Sequence, residues 1–212
     1  GSYEPSPVRR KEIPKPDGGV RKLGIPTVVD RVIQQGIAQK LQNIWEPLFS
    51  DSSYGYRPRR SGQQAIQKVK EYAEEGYRYA VSVDLSKYFD TLNHELLMNL
   101  LHRKIQDMRV LRIIKKYLKS GVMENGVVSK TEEGSPQGGP LSPLLANIYL
   151  NEFDWEMCGR GVKTVRYADD IVVFAKSKRA AERLMESSRK YLEGKLKLKM
   201  NTEKSKVTSI FA

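Results

Sequence analysis

Apolar residues return along this chain in two rhythms, one near every third or fourth position and one at every second. Ile33, Ile37, Leu41, Ile44 and Trp45 recur at helical spacing, which predicts a helix capped by Asp30 and ended by Pro47. Ser61, with Gln64 three residues on, is a capping-box start for a second helix. Its apolar face is Ala65, Ile66, Val69, Tyr72 and Ala73, and Gly76 stops it. Two more helices are predicted over 93–103 and 107–119, another after the Gly-rich stretch 134–143, and a last one from Ser177 to about Leu192. The shorter rhythm predicts strands at Tyr79–Asp84, Lys163–Tyr167, Ile171–Ala175, Leu196–Met200 and Lys206–Phe211, and Asp17-Gly18-Gly19 reads as a hairpin tip. This order predicts an α/β (α+β) fold. An antiparallel sheet is backed by helices on one face, and its other face is free to hold a substrate.

Composition narrows the partners. Of 212 residues 39% are hydrophobic, enough for a real core. Lys and Arg number 37 against 25 Asp and Glu, a net charge of +12 that favours a polyanion, nucleic acid before anionic membrane. An ordinary basic protein remains open on charge alone. The one cysteine, Cys158, can form no internal disulfide, which fits a reducing intracellular compartment. With His94 and His102 it leaves too few ligands for a zinc site. No apolar run is long enough to span a bilayer, no signal peptide is visible, and Gly1-Ser2 reads as a tag scar.

The sharpest chemistry is Tyr167-Ala168-Asp169-Asp170, two adjacent acids at the tip of a hairpin. A turn accommodates Asp for local reasons, so this motif alone leaves structure and function evenly matched. Asp84 shifts the balance, because it ends a strand of apolar and small residues. If that strand lies beside the hairpin, Asp84 and Asp169 meet at one sheet edge, where paired carboxylates need a cation between them. Oxygen ligands and phosphate substrates point to Mg²⁺. Two such ions about 3.5–4 Å apart serve in-line phosphoryl displacement.

Three blocks in order, Asp84-Leu85-Ser86-Lys87-Tyr88-Phe89-Asp90, Gly134-Ser135-Pro136-Gln137-Gly138-Gly139-Pro140-Leu141-Ser142-Pro143 and Tyr167-Ala168-Asp169-Asp170, together resemble the reverse transcriptases of group II introns, also called intron maturases. Residues 15–26, 53–58 and 199–204 fit further blocks of that family, so the resemblance covers nearly the whole chain. It implies an RNA-directed DNA polymerase core that uses two Mg²⁺ ions, with Mn²⁺ as a substitute. The fold implied is a palm with fingers: residues 1–80 as fingers and 81–212 as palm, with part of the fingers inserted around 110–140. A thumb is expected to be absent, which puts synthesis by this stretch alone in doubt and exposes an apolar palm surface through which two copies would pair.

Carried over by position, Asp84, Asp169 and Asp170 are the expected catalytic and metal-binding acids, with the Leu85 carbonyl as an extra ligand. Phe89, five residues after Asp84, is the expected gate against a 2′-hydroxyl, with a core role as its alternative. Lys15 and Arg21 are expected to grip the triphosphate, Gln137 to line the nucleotide pocket, and Lys204, with Lys206 as its alternative, to protonate pyrophosphate. Arg57, Arg59 and Arg60 with Tyr54 are expected on the template strand through charge and stacking. The partners implied are group II intron RNA, an RNA template with a DNA primer, and deoxynucleoside triphosphates, inside a bacterium or an organelle. Two other readings stand beside this one. One is a maturase that clamps intron RNA without polymerising; the other is an RNA-dependent RNA polymerase, against which Phe89 argues.

Overall fold

The computed structural model describes residues 2–14, 18–124, 126–129, 131–135 and 137–211. In chain order its elements are β1 (Val8–Pro14), β2 (Val20–Ile25), α1 (Val28–Trp45), α2 (Gly62–Glu74), β3 (Tyr79–Val83), α3 (His94–His102), α4 (Met108–Lys119), β4 (Val122–Glu124), β5 (Val127–Ser129), α5 (Ser142–Gly159), β6 (Thr164–Tyr167), β7 (Asp170–Ala175), α6 (Lys178–Gly194) and β8 (Lys206–Ser209). They fall into two compact units, Gly1–Trp45 with Phe89–Ala146, and Glu46–Tyr88 with Asn147–Ala212. The expected division at residue 80 does not coincide with them. Residues 46–80 belong with the sheet that carries the acids, and 89–146 join the N-terminal segment.

The first unit holds a sheet of order β2-β1-β4-β5. The β1–β2 hairpin forms as expected, with Arg9 opposite Ile25 and Pro14 opposite Val20, while the tip residue Asp17 lies outside the described residues. Strands β4 and β5 were not anticipated: three residues each give no alternation to read, and β4 joins β1 in parallel. Helix α1 is capped by Thr27 rather than by Asp30. The Thr27 Oγ1 accepts from the Asp30 amide at 3.1 Å, the N-cap pattern. The buried Asp30 carboxylate in turn accepts from the hydroxyls of Tyr3 and Thr27, each at 2.5 Å, tying the N-terminal arm down. Asn93 and Asp107 cap α3 and α4.

His94, at the start of α3, is buried, with Nε2 2.6 Å from the carbonyl oxygen of Gly134. Burial, together with the nearby Lys119 charge, pulls its pKa below the ordinary 6.5, and the bond to Gly134 and the Glu133 charge oppose this only in part. The folded state therefore prefers the neutral ring. Its contribution to stability is complete above pH 6.5 and is lost as pH falls from there towards the lower folded value. Thermal melts between pH 8 and 5 should show this acid-side loss, and His94→Gln should flatten it; an unchanged slope in the variant would exclude His94 as its source.

The second unit is built on an antiparallel sheet of order β6-β7-β3-β8. Val81, Val83, Ile171 and Val173 share one face and are all 2% exposed or less, with α6 packed across β3, β7 and β8. Burial of such side chains contributes on the order of 1.5–3 kcal/mol each. On the opposite face Val165, Phe174, Ala80 and Val172 cluster with Tyr54 and with Ala65, Val69 and Tyr72 of α2. Helices therefore pack on both faces, where the sequence led us to expect one. The Ser61–Gln64 capping box forms as predicted. The expected strand at 196–200 is instead an irregular segment with a single bridge, Leu85 to Met200.

Candidate active site

The register of the second sheet brings the acids together. Val83 lies opposite Ile171 and Tyr167 opposite Asp170, so Asp84, one step beyond Val83, emerges at the same sheet end as Asp169 and Asp170. Strict alternation puts Asp84 and Asp170 on the face of Ser82 and Val172. Those two residues are only half buried, and the cover provided by α2 thins there. Burial first, then the charges of Asp169 and Asp84, push the Asp170 carboxyl above the usual carboxylate range. Water reaching Asp170 damps the size of this effect, but its direction follows from three like charges at one spot. Behind them Tyr88 is buried, and desolvation keeps its phenol protonated.

Asp84 is held through its backbone. Its amide donates to Ser205 Oγ at 3.0 Å, and its carbonyl accepts from the Asn201 amide at 2.8 Å. Ser86 N–H donates to the Lys199 carbonyl at 2.9 Å. The Asn201 side chain accepts from the amides of Glu203 and Lys204, closing the turn that makes this cradle.

The hairpin carrying Asp169 has a two-residue tip, Ala168-Asp169, and Ala168 sits at φ 58°, a conformation costing an alanine about 1–2 kcal/mol. The Arg166 guanidinium, fully buried, surrounds this tip with bonds. Nε donates to Asp154 Oδ1 at 2.9 Å, and Nη2 to Asp154 Oδ2 at 2.6 Å and Ser53 Oγ at 2.8 Å. Nη1 donates to Asn147 Oδ1 and to the Ala168 carbonyl, each at 2.8 Å. Asn147 Nδ2 then donates to the Gly55 carbonyl at 2.7 Å. Residues 52–54 pair in parallel along β6 through Arg166 N–H to Ser52 O and Tyr54 N–H to Arg166 O, each at 2.8 Å. This brings Gly55 against the tip: a Cβ there would lie 2.2 Å from the Ala168 nitrogen. Loss of either charge of the Arg166–Asp154 pair would strand the other in the interior, at a cost of about 3–5 kcal/mol.

The sequence did not single out Arg166, Asp154, Asn147 or Gly55. The available signals were a cation inside an apolar strand run just before the acids, and an acid among Leu150, Phe153 and Met157 of α5. Two expected strand contacts are corrected. Tyr54 is 5% exposed, with its ring in the core, and cannot stack on a base. Arg57 is buried, paired with Glu46 at 2.8 Å and donating to the carbonyls of Ser50 and Ser53, so its charge holds a loop instead of a phosphate. Arg60 pairs with Asp51 at 2.6 Å over the Tyr54 ring, and Arg59 is exposed.

In the first unit Arg21 is exposed on β2, while Lys15 lies outside the described residues. Gln137 is half buried, and its carbonyl accepts from the Gly24 amide at 2.7 Å. Gly138, at φ +125°, permits that approach, since a Cβ would sit 2.9 Å from the Gly24 oxygen. Phe89 is half buried and its carbonyl accepts from Ser135 at 2.6 Å; Lys204 is exposed in the second unit.

Among the described residues no group of three or more His, Cys, Asp or Glu side chains is arranged to hold a metal ion by itself. Mg²⁺ needs none, because one or two carboxylates with water and substrate phosphates complete its octahedron. In donor chemistry the carboxylates of Asp84 and Asp169 are oxygen ligands of the kind that Mg²⁺ or Mn²⁺ takes. Among the described residues no helix is long and apolar enough to cross a membrane.

A family model, reverse transcriptase (RNA-dependent DNA polymerase), matches residues 13–210. Protein YkfC of Escherichia coli (strain K12) is 38% identical over 248 residues, covering 99% of this chain and 65% of YkfC. Group II intron-encoded protein LtrA of Lactococcus lactis subsp. cremoris is 46% identical over 156 residues, covering 73% of this chain and 26% of LtrA. The chain thus spans from about a quarter to two thirds of these relatives' lengths. A solved telomerase from Candida tropicalis, in complex with a fragment of telomeric RNA, matches in fold with a TM-score of 0.74 at 14% identity, over 100% of this chain and 42% of that one.

Proposed function

The chain belongs to the reverse transcriptase (RNA-dependent DNA polymerase) family, and from that premise we propose that it carries the RNA-directed DNA polymerase centre of a group II intron maturase. The observation that carries this reading is the arrival of Asp84, Asp169 and Asp170 at one sheet end. Two Mg²⁺ ions held there would activate the primer 3′-hydroxyl and steady the leaving pyrophosphate. Asp84 and Asp169 would hold the ions, with the Leu85 carbonyl as a further ligand, and Asp170 would add negative charge beside them. Arg21, with Lys15, grips the triphosphate; Gln137 lines the sugar pocket; and Lys204 donates a proton to pyrophosphate.

Phe89 excludes the 2′-hydroxyl and so selects deoxynucleotides. Phe89→Ala should raise ribonucleotide incorporation by about tenfold or more, on the scale of one steric contact worth ~1.4 kcal/mol or more. An unchanged ratio would remove the gate assignment.

An RNA grip has separate support in the first unit. Arg112, Lys115, Lys116 and Lys119 of α4 line a cleft of about 400 Å³ with Glu4 and Pro5. The Lys116 ammonium is engaged by Glu4 and the Tyr3 carbonyl, and the other three cations suit intron RNA phosphates. Primer extension on an RNA template with deoxynucleotides tests the polymerase reading. Incorporation that requires Mg²⁺ and stops with EDTA supports it. Salt-sensitive RNA binding without incorporation favours the clamp instead.

A further inference from the structure

We propose that Arg166 is a positioning residue of the metal site: anchored by Asp154, its guanidinium fixes the Ala168 carbonyl while Gly55 seats against the Ala168 amide, and the two lock the turn that presents Asp169 and Asp170. The inference rests on the reading of these aspartates as metal ligands.

All five N–H donors of Arg166 are used, and they are divided between two tasks. Three go to Asp154 and Ser53 and anchor the group in the interior. The two on Nη1 go to the tip itself and to Asn147, which in turn holds Gly55. A buried charge pair alone would need only the first set. The second set converges on Ala168, the one residue of the tip in the left-handed region. Such a conformation persists in a non-glycine residue only where the surroundings over-determine it.

Direction also matters. Arg166 is cross-strand partner of Ile171, so it points to the face of Val83, away from that of Asp84 and Asp170. Its counter-charge is Asp154, and it acts on the site from behind the sheet. It therefore shapes the ligands' backbone without neutralising them. Lysine could replace the charge but not the planar fork that reaches Asp154, Asn147 and Ala168 together.

The test is Mn²⁺ binding to the chain, followed by electron paramagnetic resonance of the free ion, beside a thermal melt. Arg166→Lys should weaken the Mn²⁺ dissociation constant by about 10- to 100-fold, the scale of losing a group that orients metal ligands. Should that variant fail to fold, Asn147→Asp decides. It is isosteric and keeps the acceptor for Nη1, but it turns an oxygen on the Gly55 carbonyl, and it should weaken Mn²⁺ binding in the same direction. A lower melting temperature with an unchanged dissociation constant in a folded variant overturns the inference and leaves Arg166 as core. Absence of Mn²⁺ binding in the unaltered chain, or binding indifferent to Asp169→Asn, would instead overturn the metal-site reading itself.

Discussion

Asp169→Asn is expected to cut metal-dependent primer extension by about a thousand-fold while leaving RNA binding within about twofold of the unaltered chain. The asymmetry follows from where the residue sits. Asp169 is at a hairpin tip, contributes no apolar burial, and shares its corner with two other negative charges. Neutralising it leaves a weaker, uncharged oxygen donor in place of a carboxylate and relieves repulsion, so the fold should be unharmed or slightly stabilised. Asp170→Asn should be milder, because that carboxylate stands beside the proposed metal-holding pair, Asp84 and Asp169, and not within it. Extension assays at 1–20 mM Mg²⁺, with filter binding of the same RNA, separate the two effects. Retention of more than a tenth of the activity in Asp169→Asn would contradict the assignment.

Gly55→Ala should be the most damaging single methyl in the second unit. The added carbon would lie 2.2 Å from the Ala168 nitrogen and 3.0 Å from the Ala168 Cα and the Tyr167 carbonyl carbon, all backbone atoms that cannot rotate away. Overpacking of this kind costs about 1–3 kcal/mol in ordinary cores, and the upper end applies where backbone meets backbone. For a chain of this length that is a fall of roughly 6–12 °C in melting temperature. The same displacement moves the tip that carries Asp169, so metal-dependent extension should fall further than the loss of folded protein explains. Gly76→Ala is the control: Gly76, unlike Gly55, has a positive φ, and nothing lies within 4 Å of the Cβ it would gain. Its cost is therefore conformational and should leave the site untouched.

Much of the second unit was legible because its signals are local. The alternation of Tyr79–Val83 and Ile171–Ala175, the Ser61–Gln64 box and the paired acids each fall within a few residues. The family resemblance rested on the same local blocks, and the relatives bear it out. What escaped was set by pairing across distance. Ser53 meets Arg166 across 113 residues, and Asp84 meets Ser205 across 121. No periodicity records such meetings. Tyr54 and Arg57 were misread for the same reason. In the sequence an aromatic and a cation beside other basic residues look like a strand contact, and only the burial made by Phe174 and Glu46 reveals them as structural. The N-cap of α1 was misplaced because Thr27 and Asp30 are both good caps, and the bond from Asp30 to Thr27 chooses between them.

The short pairing of residues 52–54 along β6 has a consequence for assembly. On the β6 margin of the acid-bearing sheet, the Arg166 amide and carbonyl are already taken by Ser52 and Tyr54. The opposite margin is β8, where another strand, from a longer polypeptide or from a second molecule, would have a full strand to pair with. There the newcomer would meet Lys206 at the end nearest Asp84 and so would arrive with its register already constrained by charge.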